Sequence, residues 1–126
     1  MLHPDFDGFF YHATSVDKAG IIEREGLAAG SFLCVGDIAE YYLETIRDEG
    51  ARAVLLKIDA SDLSLFSLGP DMPGIEEPIC GVIGLREENI WEAWDKTEGT
   101  WQDCLSLIGS LQSLAPIPAH LISRDA

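Results

Sequence analysis

The chain has 126 residues, enough for one domain, and 47% of them are hydrophobic against 24% charged, the balance of a globular protein and not of a disordered one. Eight Lys and Arg stand against 22 Asp and Glu, and the formal net charge of −14 creates a field that repels phosphate backbones. That disfavours ordinary nucleic-acid binding and is compatible with a basic partner or with mimicry of DNA by carboxylates.

In chain order, residues 1–8 are a polar lead-in to the aromatic, strand-prone run Phe9-Phe10-Tyr11-His12. Ser15 reads as the N-cap of a helix through about Arg24, with Val16, Ala19, Ile21 and Ile22 on its inner side and Gly26 closing it. Ser31 to Val35 is a second short strand. Asp37 caps a further helix through about Arg47, with Ile38, Tyr41, Tyr42, Thr45 and Ile46 at helical spacing and Gly50 after it. Ala53 to Asp59 is the clearest strand, with Val54, Leu56 and Ile58 on one face. Asp62–Phe66 reads as another short strand and Ser67–Gly74, with two prolines, as a loop. Glu76 to Ile83 and Ile90 to Trp94 read as strands. Thr100 reads as the N-cap of a final helix with Asp103 in a capping-box position, extending to Leu111 and Gln112. Pro116 and Pro118 end it, and Ala119–Ser123 is an edge strand. The expected architecture is a single α+β domain over residues 1–126, with helices flanking a middle rich in strands.

No apolar run approaches the roughly 20 residues of a membrane-spanning helix. Met1-Leu2-His3-Pro4-Asp5 has neither the basic start nor the apolar stretch of a signal peptide. The three cysteines, Cys34, Cys80 and Cys104, are far apart among apolar neighbours, as reduced, buried thiols would be, with a catalytic or metal-bound cysteine as the alternative. The expectation is a cytoplasmic protein with no membrane partner. The cysteines and the histidines His3, His12 and His120 lack metal-ligand spacing, so no metal is expected. Phosphate-loop and nucleophile-elbow patterns are absent as well.

Three groups of residues could carry chemistry. His12 and Thr14 lie two apart on an extended segment, so both side chains point the same way and can reach one ligand, with donors and acceptors suited to ribose hydroxyls. The structural alternative is that Thr14 or Ser15 caps the helix and His12 is a satisfied, half-buried residue. Tyr41 and Tyr42 could stack on a flat heterocycle, or could be the inner and rim residues of an amphipathic helix. Glu76 and Glu77 follow a loop and open a strand, where at most one enters a given site. In a chain with 22 acids they could equally be a solvated pair.

The order strand–His12-x-Thr14-Ser15–helix–Gly26-Leu27, then Asp37-x-Ala39-x-Tyr41-Tyr42, then AVLLKID, then Glu76 and Gly81-x-Ile83…Glu88-Asn89-Ile90, resembles the small bacterial and phage members of the ADP-ribosyltransferase superfamily. That group includes poly(ADP-ribose) polymerases, diphtheria-type toxins and RNA 2′-phosphotransferases, and the resemblance covers residues 9–92. It implies a split antiparallel sheet with flanking helices and an NAD⁺ cleft between the halves. In it, His12 and Thr14 would bind ribose, Tyr41 or Tyr42 would stack on nicotinamide, and Glu76 or Glu77 would hold the 2′-hydroxyl. It further implies NAD⁺ as substrate and a protein target as acceptor, in the manner of a toxin, an effector or a phage inhibitor of a host system. Lys18 and Arg24 are the nearest cations for the pyrophosphate. Scarcity of basic residues argues against the RNA 2′-phosphotransferase branch. Two alternatives stand beside the transferase: a non-catalytic acidic binding protein or DNA mimic on the same fold, and an NAD⁺ glycohydrolase with water as acceptor.

Overall fold

A computed structural model of the chain describes residues 3, 5–77 and 87–125. The described residues form a mixed α+β domain with one six-stranded antiparallel sheet. The strands are β1 (Phe9–Ser15), β2 (Phe32–Cys34), β3 (Ala53–Asp59), β4 (Leu68–Gly69), β5 (Ser110–Ser113) and β6 (Ile122–Arg124), in the spatial order β4-β5-β2-β1-β3-β6. The helices are α1 (Val16–Glu25), α2 (Gly36–Asp48), α3 (Met72–Glu76), α4 (Glu87–Asp95) and α5 (Trp101–Ile108).

The first half of the chain folds as its local chemistry dictates. Ser15 caps α1 by accepting from the Lys18 amide, and Gly26 closes the helix at φ 82°. That positive φ is open to glycine. The absence of a Cβ also lets the chain pass against the Ile117 carbonyl, where Leu27 and Ile117 form an isolated antiparallel bridge. β1 and β3 pair over their full lengths, from Phe9 opposite Asp59 to Ser15 opposite Ala53. Leu56 and Ile58 are buried on one face of β3, as expected. The main core gathers Phe10, Leu33, Val35, Ile38, Leu105 and Leu111 between sheet and helices. Within α2 the buried side is Ile38, Ala39 and Leu43, and Val35 is its N-cap without a side-chain bond. Asp37 instead sits in the first turn, where a carboxylate favours the helix dipole.

The second half departs from expectation at five places, the last of them at the end of α5. Asp62–Phe66 is not a strand: Asp59 accepts from the Ser61 amide and Ser64 from the Phe66 amide, so local side-chain bonds fix two 3₁₀ turns, Ala60–Asp62 and Leu65–Ser67. The expected loop before Gly74 contains β4 and the start of α3, which Asp71 caps and Pro73 enters in the first turn. Glu76 and Glu77 therefore end a helix and do not open a strand; the rest of that expected strand, 78–83, lies outside the described residues. Ile90–Trp94 is helical within α4. Its apolar residues Ile90, Ala93 and Trp94 fall at i, i+3 and i+4, a helical spacing that outweighs the strand propensity of Ile and Trp, and Ile90 and Trp94 pack on Ile75, Cys104 and Ile108.

The capping box at Thr100 and Asp103 is present, with side chain and backbone bonded reciprocally. Gly109, at φ 73°, then stops α5. Leu111 and Gln112 consequently belong to β5 and not to the helix. The expected last strand forms as β6 on the edge, paired to β3, after a 3₁₀ turn at Ala119–Leu121.

Candidate functional site

The sheet is narrowly joined at its middle. β1 and β2 meet through one residue pair, Tyr11 opposite Cys34, whereas β1 and β3 are paired throughout. Just past that junction the His12 Nδ1 lies 2.7 Å from the Phe32 carbonyl oxygen. A carbonyl only accepts, so Nδ1 carries the proton and the neutral ring presents Nε2 as an acceptor. Burial lowers the His12 pKa from its ordinary value; the Phe32 carbonyl opposes that shift and the Lys18 cation adds to it.

A cleft of about 760 Å³ opens beside this histidine, within the about 300–1,000 Å³ common for small-molecule sites. His12 and Thr14 both line it, as their shared strand face requires. Because Ser15 supplies the helix cap, Thr14 is left to its place in the wall. α1 contributes Lys18, Ile22 and Glu25, and the end of α2 contributes Ile46 and Glu49. Lys18 thus reaches the cleft, while Arg24 is not among the residues lining it. Glu25 and Glu49 are cleft carboxylates that sequence reasoning missed, since nothing in their spacing separates them from the other acids.

The remaining expected site residues do not join this cleft. Tyr42 and Glu77 line a second, much smaller cavity with Ile38, Asp71, Ile108 and Ser110. Ser110 stands opposite Cys34, itself opposite Tyr11, so these three side chains share the sheet face away from His12 and Thr14. Tyr41 and Tyr42 are 38% and 39% exposed and pack on each other, ring centroids 5.5 Å apart at 79°. Burial raises the Tyr42 pKa, with Asp71 adding to the shift. Glu76 is exposed at the end of α3 and lines neither cavity.

Asp71 organises the second cavity. Its Oδ1 accepts from the Gly74 amide at 3.0 Å, and its Oδ2 from the Ser110 hydroxyl at 2.7 Å. Its own amide lies 3.2 Å from the Cys104 sulfur. The sequence signal for Asp71 was a helix start, an Asp followed two residues later by proline.

Cys34 and Cys104 are buried and free, and burial pushes each thiol up to about 12. Both are therefore protonated at neutral pH and unsuited to nucleophilic work. Cys80 lies outside the described residues. Among the described residues, no group of three or more His, Cys, Asp or Glu is placed to hold a metal ion, and no helix is long and apolar enough to cross a membrane. Comparison of the chain with protein-family models, with curated proteins and with solved structures gives no match.

Proposed function

We propose that the cleft at the end of β1 binds NAD⁺ and that the chain is an ADP-ribosyltransferase-like protein acting on a protein target. The observation that carries this reading is the placement of His12 and Thr14. They share one strand face, at the point where the sheet is joined by a single pair, and they line a cleft of nucleotide-binding size. A neutral His12 offers Nε2 to a ribose hydroxyl, the Thr14 hydroxyl can donate or accept beside it, and Lys18 supplies the cation for a pyrophosphate.

In the reaction, the bond between ribose C1′ and the nicotinamide nitrogen breaks, and nicotinamide leaves with the electron pair. The ribose passes through an oxocarbenium-like state, as in glycoside cleavage, and an acceptor nucleophile forms the new C1′ bond and loses its proton. A carboxylate against the ribose stabilises the developing positive charge. Glu76 and Glu77 are the positions the resemblance assigns to that role, and Glu25 and Glu49 are the carboxylates that line the cleft.

That Glu76 and Glu77 lie outside the cleft supports a second reading: a protein that binds the nucleotide, or a basic partner, without turnover. Nicotinamide release from NAD⁺, followed with and without a protein extract, distinguishes the two, run with His12→Ala and with each of the four glutamates changed to Gln. Extract-dependent release that one glutamine variant abolishes supports the transferase and assigns its carboxylate. Release without extract points to hydrolysis. An NAD⁺-induced rise in melting temperature that His12→Ala removes, without release, leaves the binding reading. Absence of both release and a thermal shift would overturn the nucleotide assignment.

A further inference from the structure

The first part of β1 lines a different cavity. Phe10 stands two residues before His12, on the same strand face, and its ring is packed between Phe6, at 5.4 Å, and Trp101, met edge-on at 6.2 Å and 88°. With Leu65 and Leu68 these rings line a groove of about 390 Å³ whose wall is mostly apolar. Beside it the turn Leu65–Ser67 projects two large apolar side chains into solvent, Leu65 at 62% exposure and Phe66 at 96%. A groove walled by aromatic rings with an almost bare phenylalanine at its edge has the anatomy of an interaction anchor.

The rim identifies the partner. Asp59 lies in the wall, its carboxylate held ionised by the Ser61 amide and hydroxyl at 2.9 and 2.7 Å. Asp62 is exposed one residue past Ser61, and Asp5 and Asp7 are exposed on either side of Phe6. Among the described residues that line the groove, none is Lys or Arg. A second copy of the chain would bring another net charge of −14 against this rim, so electrostatics opposes self-association and favours a cation-bearing partner. We infer that this groove is a docking site for a basic protein segment, one that seats an aliphatic or aromatic side chain against Phe6, Phe10 and Trp101 and sets Lys or Arg against Asp59 and Asp62. The site stands on its own and does not require the nucleotide reading.

The test uses the full chain, labelled with ¹⁵N, and three fluorescent peptides: Lys-Arg-Leu-Phe-Lys-Arg, its acidic counterpart Glu-Asp-Leu-Phe-Glu-Asp, and Lys-Arg-Gly-Ser-Lys-Arg. The expected result is that only the first binds and that added salt weakens it. It shifts the amides of Gly8, Ser61 and Leu68, and Phe66→Ala reduces its affinity about tenfold, the size of an anchor worth roughly 1.4 kcal/mol. Phe66 is almost bare, so the alanine variant keeps the fold, which an unchanged melting temperature verifies. Asp62→Asn should give a smaller loss confined to low salt. Equal binding of the Gly-Ser peptide, or no effect of Phe66→Ala, would reduce the groove to a diffuse acidic surface and overturn the proposal. Concentration-dependent dimerisation that Phe66→Ala abolishes would overturn it in favour of a second copy, and absence of binding by all three peptides would overturn it outright.

Discussion

The two polar cavities differ in what their groups are already doing. Around Asp71, both carboxylate oxygens are committed, one to the Gly74 amide and one to the Ser110 hydroxyl, and little space remains. Around His12, one ring nitrogen fixes the residue to Phe32 and the other faces a roomy cleft shared with Thr14 and Lys18. A buried polar group whose partners are all supplied by its own fold is part of the architecture. A polar group anchored on one side and free on the other is equipped for a ligand. The Asp71 cavity therefore reads as structural although it holds Tyr42 and Glu77, two of the side chains the resemblance places around NAD⁺.

The sharpest way to break this comparison is to remove Asp71. Asp71→Ala uncaps α3 and leaves the buried Ser110 hydroxyl without its acceptor, and together these should cost about 3 kcal/mol. Denaturant unfolding would show the loss, while ligand binding at the His12 cleft should be unchanged in the folded fraction. A variant of near-normal stability that has lost function would reverse the assignment and make Asp71 a functional carboxylate. Gly26→Ala comes next, at about 2 kcal/mol, because it adds strain at φ 82° and drives a Cβ into the Ile117 carbonyl. Gly26 also lines the cleft, so this substitution should disturb ligand affinity as well as thermal stability. Thr100→Ala, which opens the capping box of α5 outside the cleft lining, should cost about 1 kcal/mol with no effect on the cleft.

The residues involved explain how much of this was legible beforehand. The helix caps at Ser15 and Thr100 and the Gly26 stop follow from short-range rules, and the sequence carries them openly, whereas the long-range pairing of β1 with β3 is not written in either segment. His12 and Thr14 share the cleft because period-2 alternation on one strand suffices to place them together. Between Asp62 and Glu77 local caps decide, because the Asp59, Ser64 and Asp71 side chains fix turns and a helix that residue patterning alone does not show. Ile90–Trp94 has the strand propensity of Ile and Trp over too short a run to separate the two periods, and burial against α3 and α5 accompanies its helix. Glu76 and Glu77 read as the opening of a strand after a Pro/Gly loop, where Asp71 instead caps a helix that ends on them. Glu25 and Glu49 were invisible because the cleft brings together the ends of two helices that lie far apart in the chain.

The smallest expected effect is also the most specific to the cleft. His12 is held neutral in the folded protein, with its pKa lowered from the ordinary 6.5, first by burial and then by Lys18. The unfolded chain therefore binds more protons than the folded one as pH falls below 6.5, and folding stability drops through that window. Above it the contribution is constant. His12→Gln keeps an amide donor for the Phe32 carbonyl but does not titrate, so the stability difference between it and the parent should be flat at neutral pH and move against the parent on acidification. NAD⁺ affinity should fall at lower pH still, around the lowered pKa of the folded protein, because a protonated Nε2 donates and can no longer accept a ribose hydroxyl. An affinity loss that sets in where the stability loss levels off, with both pH dependences removed by His12→Gln, would join the buried ring to the ligand. A stability profile that flattens while affinity keeps its pH dependence would return His12 to a structural role, like that of Asp71.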